Sequence, residues 1–350
     1  MDLSLPSGRG KNRVFQMIMF SEKLKLISKQ IGFKLSSRGW CYQLEGFGLI
    51  TKAEFDKVEK IINDCRKDGY LPVDFVLEED ARLFSGVEIP EDESPLEYFA
   101  DYIRTSLNCH KMYIPDWWED EDYYIQMLVE KIDLKSLFEP ICKEYHIPIA
   151  TSKGWSSIIQ RAKYSRRFKE AEDKGLKCVL LYCGDHDPDG LRISNTIRKN
   201  LVELNRVTWN DGFIGYDPSS LIIDRFGLNY DFIIKNNLSW IENLITGSKK
   251  KLNLASPTHP NHNLHYVQDY LRSVGIRKCE ANSLVVKPEQ GRNLCREAIE
   301  HYLHHDAINR FKDKRKIVEQ EISGYLDEKG LKDSLQEIID DITGDDNSDY

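Results

Sequence analysis

The stretch CVLLYCGDHDPDG, residues 178–190, decides how the rest of the chain is read. Residues 178–183 run without a charge, the pattern of a strand buried on both faces. The run ends on Gly184, and Asp185, Asp187 and Asp189 follow two residues apart. Alternate side chains of an extended backbone share a side, so the three carboxylates are expected to converge. Clustered carboxylates repel one another, and apolar flanks disfavour each charge further. A hard divalent cation relieves this, and Mg²⁺, with Mn²⁺ able to substitute, suits carboxylate oxygens. Pro188 and Gly190 then turn the chain into a helix whose amino end favours phosphate.

Working outward, YYIQMLVEK (123–131) reads as a second buried strand that ends in Glu130. SLFEPICKEY (136–145) is helical, IPIATS (147–152) a short strand, and WSSIIQRAKYSRRFKEAEDKG (155–175) a long helix stopped by Gly175. PDGLRISNTIRKNLVEL (188–204) is helical again. Strands alternating with helices predict a parallel sheet covered on both faces. Glu130 and the aspartates then sit at the strands' carboxyl ends, where open α/β sheets keep their sites.

Towards the amino end, SEKLKLISKQI (21–31) predicts a short helix capped by Ser21 and stopped at Gly32. In TKAEFDKVEKIINDCRKDG (51–69), Phe55, Val58, Ile61, Ile62 and Cys65 recur at helical spacing, and Gly69 ends the run. With SSRGWCYQLEGFG (36–48) between them, three helices in a basic segment are compatible with a winged-helix module. Residues 206–300 are harder to divide, although LASPTHPNHN (254–263) reads as a connection without regular structure. Residues 301–338 look helical and highly charged. His301 and His305 are four apart there, a solvated helix face more readily than a metal pair.

The whole chain, 350 residues with a net charge of −8, is long enough for two or three domains. Residues 1–70 carry +5 and residues 71–145 carry −13, so the total does not exclude a nucleic-acid partner, which reads the local field. The basic runs at 161–169, 248–251 and 312–316 read as solvated faces that are also able to meet phosphates. The eight cysteines form no CxxC pair, as in reduced cytoplasmic proteins. The start carries no secretory signal and no apolar run is long enough for a membrane span. Trp117 and Trp118, beside four acids, are expected to pack under a loop.

Glu130 after a strand, Gly154 in TSKGWSS, and the D-x-D-P-x-G form of residues 185–190 resemble the three signatures of the Toprim domain. The form DHDPDG is most similar to that of the A subunit of type IIB topoisomerases and its relative, the meiotic double-strand-break transesterase. The family carries an Arg-x-x-Tyr-Tyr pattern in its winged helix, and SSRGWCYQL supplies Arg38 and Tyr42. Gly39 stands where the family has an acid, and Cys41 replaces the first tyrosine. The resemblance spans roughly residues 20–300 and is similar in compactness to mini-A proteins of mobile elements. It implies an α/β (α+β overall) chain divided as a winged helix (1–88), an acidic linker (89–122), a Toprim domain with a parallel sheet (123–300), a charged helical segment (301–338) and a disordered tail (339–350).

The function so implied is Mg²⁺-dependent cleavage of double-stranded DNA by tyrosine transesterification, with 5′-phosphotyrosyl ends and a homodimer cutting both strands. Tyr42 is the implied nucleophile. Arg38, one helical turn away, is expected to favour its phenolate and hold the phosphate. Glu130 is expected to shuttle a proton or bind metal, and Glu130, Asp185, Asp187 and Asp189 to form the metal set. In the family the tyrosine of one protomer meets the Toprim metal of the other. No Walker A loop is present, so any ATPase is expected on a separate B-type subunit. The alternatives are a hydrolytic Toprim nuclease and a non-catalytic winged-helix DNA-binding protein. The expected setting is a DNA-associated, cytoplasmic protein of prokaryotic or mobile-element origin.

Overall fold

The computed structural model describes residues 5–7, 9–72, 74–77, 92, 94–152, 158–207, 209, 211–212, 215–245 and 252–344. The chain divides into two compact units, Met1–Glu79 with Asp122–Tyr302, and Asp80–Glu121 with Leu303–Tyr350.

The first unit opens with three helices, α1 (Gly10–Ile31), α2 (Ser37–Gly46) and α3 (Phe55–Lys67). The five apolar positions singled out on α3 are all buried. Helix α1 starts eleven residues before the expected cap, and Ser21 lies buried inside it. The reason is one unbroken apolar stripe, Met17, Phe20, Leu24, Ile27 and Ile31, at helical spacing. Gly32, at φ 74°, ends the helix in the left-handed conformation that a residue without Cβ adopts freely. Trp40, Cys41, Tyr42 and Leu44 of α2 complete this core with Phe55, Val58 and Ile62. Among the described residues of this segment there is no strand, and residues 78–88, where the expected winged helix ends, lie outside them.

Four strands follow, β1 (Tyr123–Val129), β2 (Ile149–Thr151), β3 (Lys177–Cys183) and β4 (Ile222–Gly227). They form one parallel sheet in the order β2-β1-β3-β4. Val129 at the end of β1 lies opposite both Thr151 and Cys183. The connecting helices are α5 (Ile132–Glu144), α6 (Ile158–Asp173) and α7 (Ile193–Val202). Parallel strands need such crossovers, and covering both faces makes β1 and β3 near-continuous apolar runs. Gln126, wholly buried in β1, donates to the carbonyl of Tyr164, whose hydroxyl returns a bond to the Met127 carbonyl. This reciprocal pair fixes α6 on the sheet. Strand β4 escaped the sequence pattern because Asp224 and Arg225 interrupt its apolar run, as edge strands tolerate.

The unit ends with α8 (Tyr230–Lys235), α9 (His265–Ser273) and α10 (Pro288–Glu300). Residues 254–263 are turns, as expected. Because α10 stops at Glu300, His301 and His305 do not share a helix face.

The second unit contains α4 (Pro95–Leu107), α11 (Ala307–Glu328) and α12 (Leu331–Thr343). The region expected as an acidic linker therefore includes a helix with a full capping box, in which Ser94 and Glu97 satisfy each other's amides. Ala100 and Ile103 pack on Ile339, and buried Trp117 meets Phe311 edge-on. Lys314 lies 2.8 Å from Glu119 and 2.7 Å from Asp120, and Arg310 pairs with Glu121. The basic run 312–316 is thus partly committed to acids of its own unit. The same holds at 161–169 in the first unit, where Arg166 reaches Asp211 at 2.7 Å and Lys169 reaches Asp173 at 3.1 Å. The run 248–251, Gly154 and residues 345–350 lie outside the described residues. No helix among the described residues is long and apolar enough to cross a membrane.

Candidate functional site at the switch point of the sheet

The order β2-β1-β3-β4 reverses direction between β1 and β3. Chain leaving β1 turns one way and chain leaving β3 the other, which opens a crevice at their carboxyl ends. Glu130 follows β1 there, and Gly184 to Gly190 follow β3. The crevice is a cleft of about 830 Å³. Glu130, Asp185, Asp187, Asp189 and Glu280 line it, together with the cations Lys131, Arg192, Lys199 and Lys278.

Glu130 is tied to the end of β3 twice. Its amide donates to the Cys183 carbonyl at 3.0 Å, and its Oε2 accepts from the Asp185 amide at 2.7 Å. The Lys131 ammonium spans the two acids, 2.9 Å from Glu130 Oε1 and 3.5 Å from Asp185 Oδ2. Burial acts to raise the Glu130 carboxyl, but Lys131 and the Asp185 amide outweigh it and hold the group below the usual range. Asp185 behaves in the opposite way. Burial, and after it the charge of Glu130, pushes it up to about 7. Asp187 is also raised, chiefly by burial, against the pull of the Gly190 amide. The corner holds one settled negative charge and two carboxyls that burial discourages from ionising.

The three aspartates do not all converge. The extended backbone lasts only as far as His186; the chain bends at Asp187, and Pro188 and Asp189 form a turn. Asp187 Oδ1 accepts from the Gly190 amide at 2.6 Å. Asp189 is exposed, and its carboxylate accepts from the Tyr266 hydroxyl at 3.0 Å. Among the described residues, no three His, Cys, Asp or Glu side chains close on a common point. Two do share one, Glu130 and Asp185, and the cation between them is the Lys131 ammonium. The donors are all oxygen, as a hard divalent ion prefers, and such an ion would compete with Lys131 for them.

Arg225 of β4 holds the turn together. Its guanidinium donates to the Asp185 carbonyl at 2.9 Å, the Gly190 carbonyl at 3.0 Å and Asn229 Oδ1 at 3.0 Å. A Cβ on Gly190 would lie 2.3 Å from the Asp185 carbonyl oxygen, so this closed turn requires glycine. His186 faces away from the cleft, amid Tyr230, Trp240 and Tyr270, with Nδ1 2.9 Å from the Leu228 carbonyl. Its backbone forms an antiparallel bridge with Cys279, which lays the following residues along the acid corner. Ala281 N–H then donates to Asp185 Oδ1 at 2.8 Å.

Tyr42 and Arg38 meet different partners. Helix α2 carries both, as its spacing predicts. Tyr42 is buried, and its hydroxyl donates to the Glu280 carboxylate. Its ring meets Phe55 edge-on at 5.1 Å, and Lys52 stands 5.5 Å above it. Arg38 turns to α3 instead, 3.3 Å from Glu59 and 3.6 Å from Asp56, with its guanidinium over the Phe55 ring. The amino end of α2 docks on buried Asp133, which accepts from the Ser36 amide and hydroxyl and from Asn282. A Cβ on Gly39 would lie 2.5 Å from Asp133 Oδ1. Asp133 therefore fills the space beside Gly39.

Pattern reading passed over Lys131, Arg225, Asp133 and Glu280. The first could have been found from its place beside Glu130, whereas the others act across long stretches of chain. A scan against protein-family models gives no match, and a search of the curated proteins finds no relative.

Proposed function

We propose that the chain is a DNA-cleaving tyrosine transesterase of the Toprim type, with Tyr42 as nucleophile and the β1–β3 corner as its cation site. One observation carries the reading: the Tyr42 hydroxyl bonds Glu280, a residue lining the same cleft as Glu130, Asp185 and Asp187. A tyrosine and a carboxylate corner chosen from distant motifs thus belong to one neighbourhood of one chain.

In this reading the cleft receives a phosphodiester of double-stranded DNA. Lys199, Lys278 and Arg192 offer positive charge to phosphate oxygens. Glu130 and Asp185 would hold Mg²⁺ or Mn²⁺, which when bound would offset charge on the phosphate and the leaving 3′ oxygen. Tyr42 oxygen bonds to phosphorus and the bond to the 3′ oxygen breaks, leaving a 5′-phosphotyrosyl link and a free 3′ hydroxyl. Because each tyrosine cuts one strand, breaking both requires two copies. A B-type ATPase partner belongs to the same proposal.

The burial of Tyr42 favours a second reading, a hydrolytic nuclease in which water attacks instead. One experiment orders them. The chain is incubated with uniformly labelled supercoiled DNA and Mg²⁺ or Mn²⁺, then denatured and probed for protein-linked label. Adduct that vanishes in both Tyr42→Phe and Asp185→Ala is the expected result. Cleavage that survives Tyr42→Phe but not Asp185→Ala transfers the assignment to hydrolysis, and DNA binding without any cleavage removes both.

A further inference from the structure

We infer that Glu280 is the catalytic base that takes the Tyr42 proton. This rests on the transesterase reading and adds to it the residue that activates the nucleophile.

A phenol with a pKa of about 10 is a poor nucleophile at neutral pH, so a nearby proton acceptor is needed. The expected activator, Arg38, is engaged by Glu59 and Asp56. The group that meets the hydroxyl is the Glu280 carboxylate, and hydrogen-bond reach to the departing proton is the first test of a base. Both partners are fixed. Tyr42 is held through its ring contact with Phe55 and through the docking of α2 on Asp133. Glu280 is held by its own backbone, since Cys279 before it bridges to His186 and Ala281 after it donates to Asp185. Lys278 stands 3.5 Å from Glu280 Oε1, on the oxygen opposite to the one that receives Tyr42. Burial, opposed by the charge of Arg38, raises the Glu280 carboxyl above its usual range and so strengthens it as a base.

The step balances as follows. The Tyr42 O–H bond breaks and its proton passes to Glu280. The oxygen's electron pair forms the bond to phosphorus. The bond from phosphorus to the 3′ oxygen breaks with its pair on that oxygen, which takes a proton from cleft water to become a hydroxyl. Glu280 then loses its proton to solvent.

The test uses Glu280→Gln, which keeps size and an acceptor but is no base. Rates of adduct formation on labelled DNA are compared at fixed salt with Mn²⁺. The expected result is a loss of about 10²- to 10⁴-fold, the span of general base catalysis. Melting temperature and DNA retention at that salt stay at wild-type values, and Glu280→Asp regains part of the rate. Adduct formation by Glu280→Gln at the wild-type rate overturns the assignment. Wild-type cleavage without adduct instead overturns the transesterase reading, and this inference with it.

Discussion

Two arginines separate the regions that the motifs picked out. Arg38 lies on α2, in the pattern that also contains Tyr42, and its side chain is half exposed and paired with acids of the neighbouring helix. Arg225 lies on β4, outside any motif, and threads into the turn after β3, where its donors meet the Asp185 and Gly190 carbonyls. The difference teaches where charge has structural weight. At the helix face, water and several carboxylates offer Arg38 equivalent partners. In the corner, the backbone carbonyls that Arg225 meets belong to a turn closed on itself, so their partner is not easily replaced.

Arg225→Met is the substitution with the largest expected effect, because it keeps bulk and removes the donors. Each carbonyl left without its charged donor costs about 1.5–3 kcal/mol. The variant should unfold at clearly lower urea, with the cleft as the first part to lose amide protection in hydrogen exchange. A midpoint within experimental scatter of wild type would erase the contrast between the two arginines.

How much of this was legible in the sequence follows the same division. Strands β1 and β3 were readable because burial on both faces writes itself as apolar runs, and Glu130 and Asp185 were found from their places at the ends of those runs. Convergence of Asp189 was not, since the period-two argument holds only while the backbone is extended, and the bend at Asp187 ends that. The tyrosine was singled out by its neighbours, but its partner was not: Tyr42 and Glu280 are 238 residues apart, and Asp133 and Asn282 are 149 apart. Such contacts arise when elements pack and leave no local period. Arg38 was correctly placed one helical turn from Tyr42, yet its acids come from α3, which spacing within α2 does not reveal.

Asp133 sits between the two regions and sharpens the comparison. It belongs to the sheet side through α5 but caps the tyrosine helix, and burial raises its carboxyl despite the bonds from Ser36 and Asn282. A carboxyl raised in the folded state binds its proton more tightly there than in the unfolded chain. Its contribution to stability is therefore fullest below its ordinary value of about 4 and declines as pH rises through the raised value. Relative to Asp133→Asn, the wild type should lose stability between pH 4 and pH 7, by about 1.4 kcal/mol for each unit by which the carboxyl is raised. Urea midpoints of the two proteins at pH 4 and pH 7 measure this, and parallel curves would mean that the site is solvated.

The smallest effect belongs to Arg38→Ala. Its two ion pairs are exposed and share one guanidinium, so water takes over most of what they supply, and stability should change by no more than about 1 kcal/mol. Part of even that belongs to lost packing of the stem and guanidinium over Phe55. Salt separates the contributions, because screening weakens the ion pairs and leaves the ring contact. If the wild-type advantage persists at 1 M salt, with its Debye length of about 3 Å, packing accounts for it. If Arg38→Ala destabilises the fold as much as Arg225→Met, exposure is not what distinguishes the two regions, and Arg38 must hold Phe55 and, through it, the ring of Tyr42.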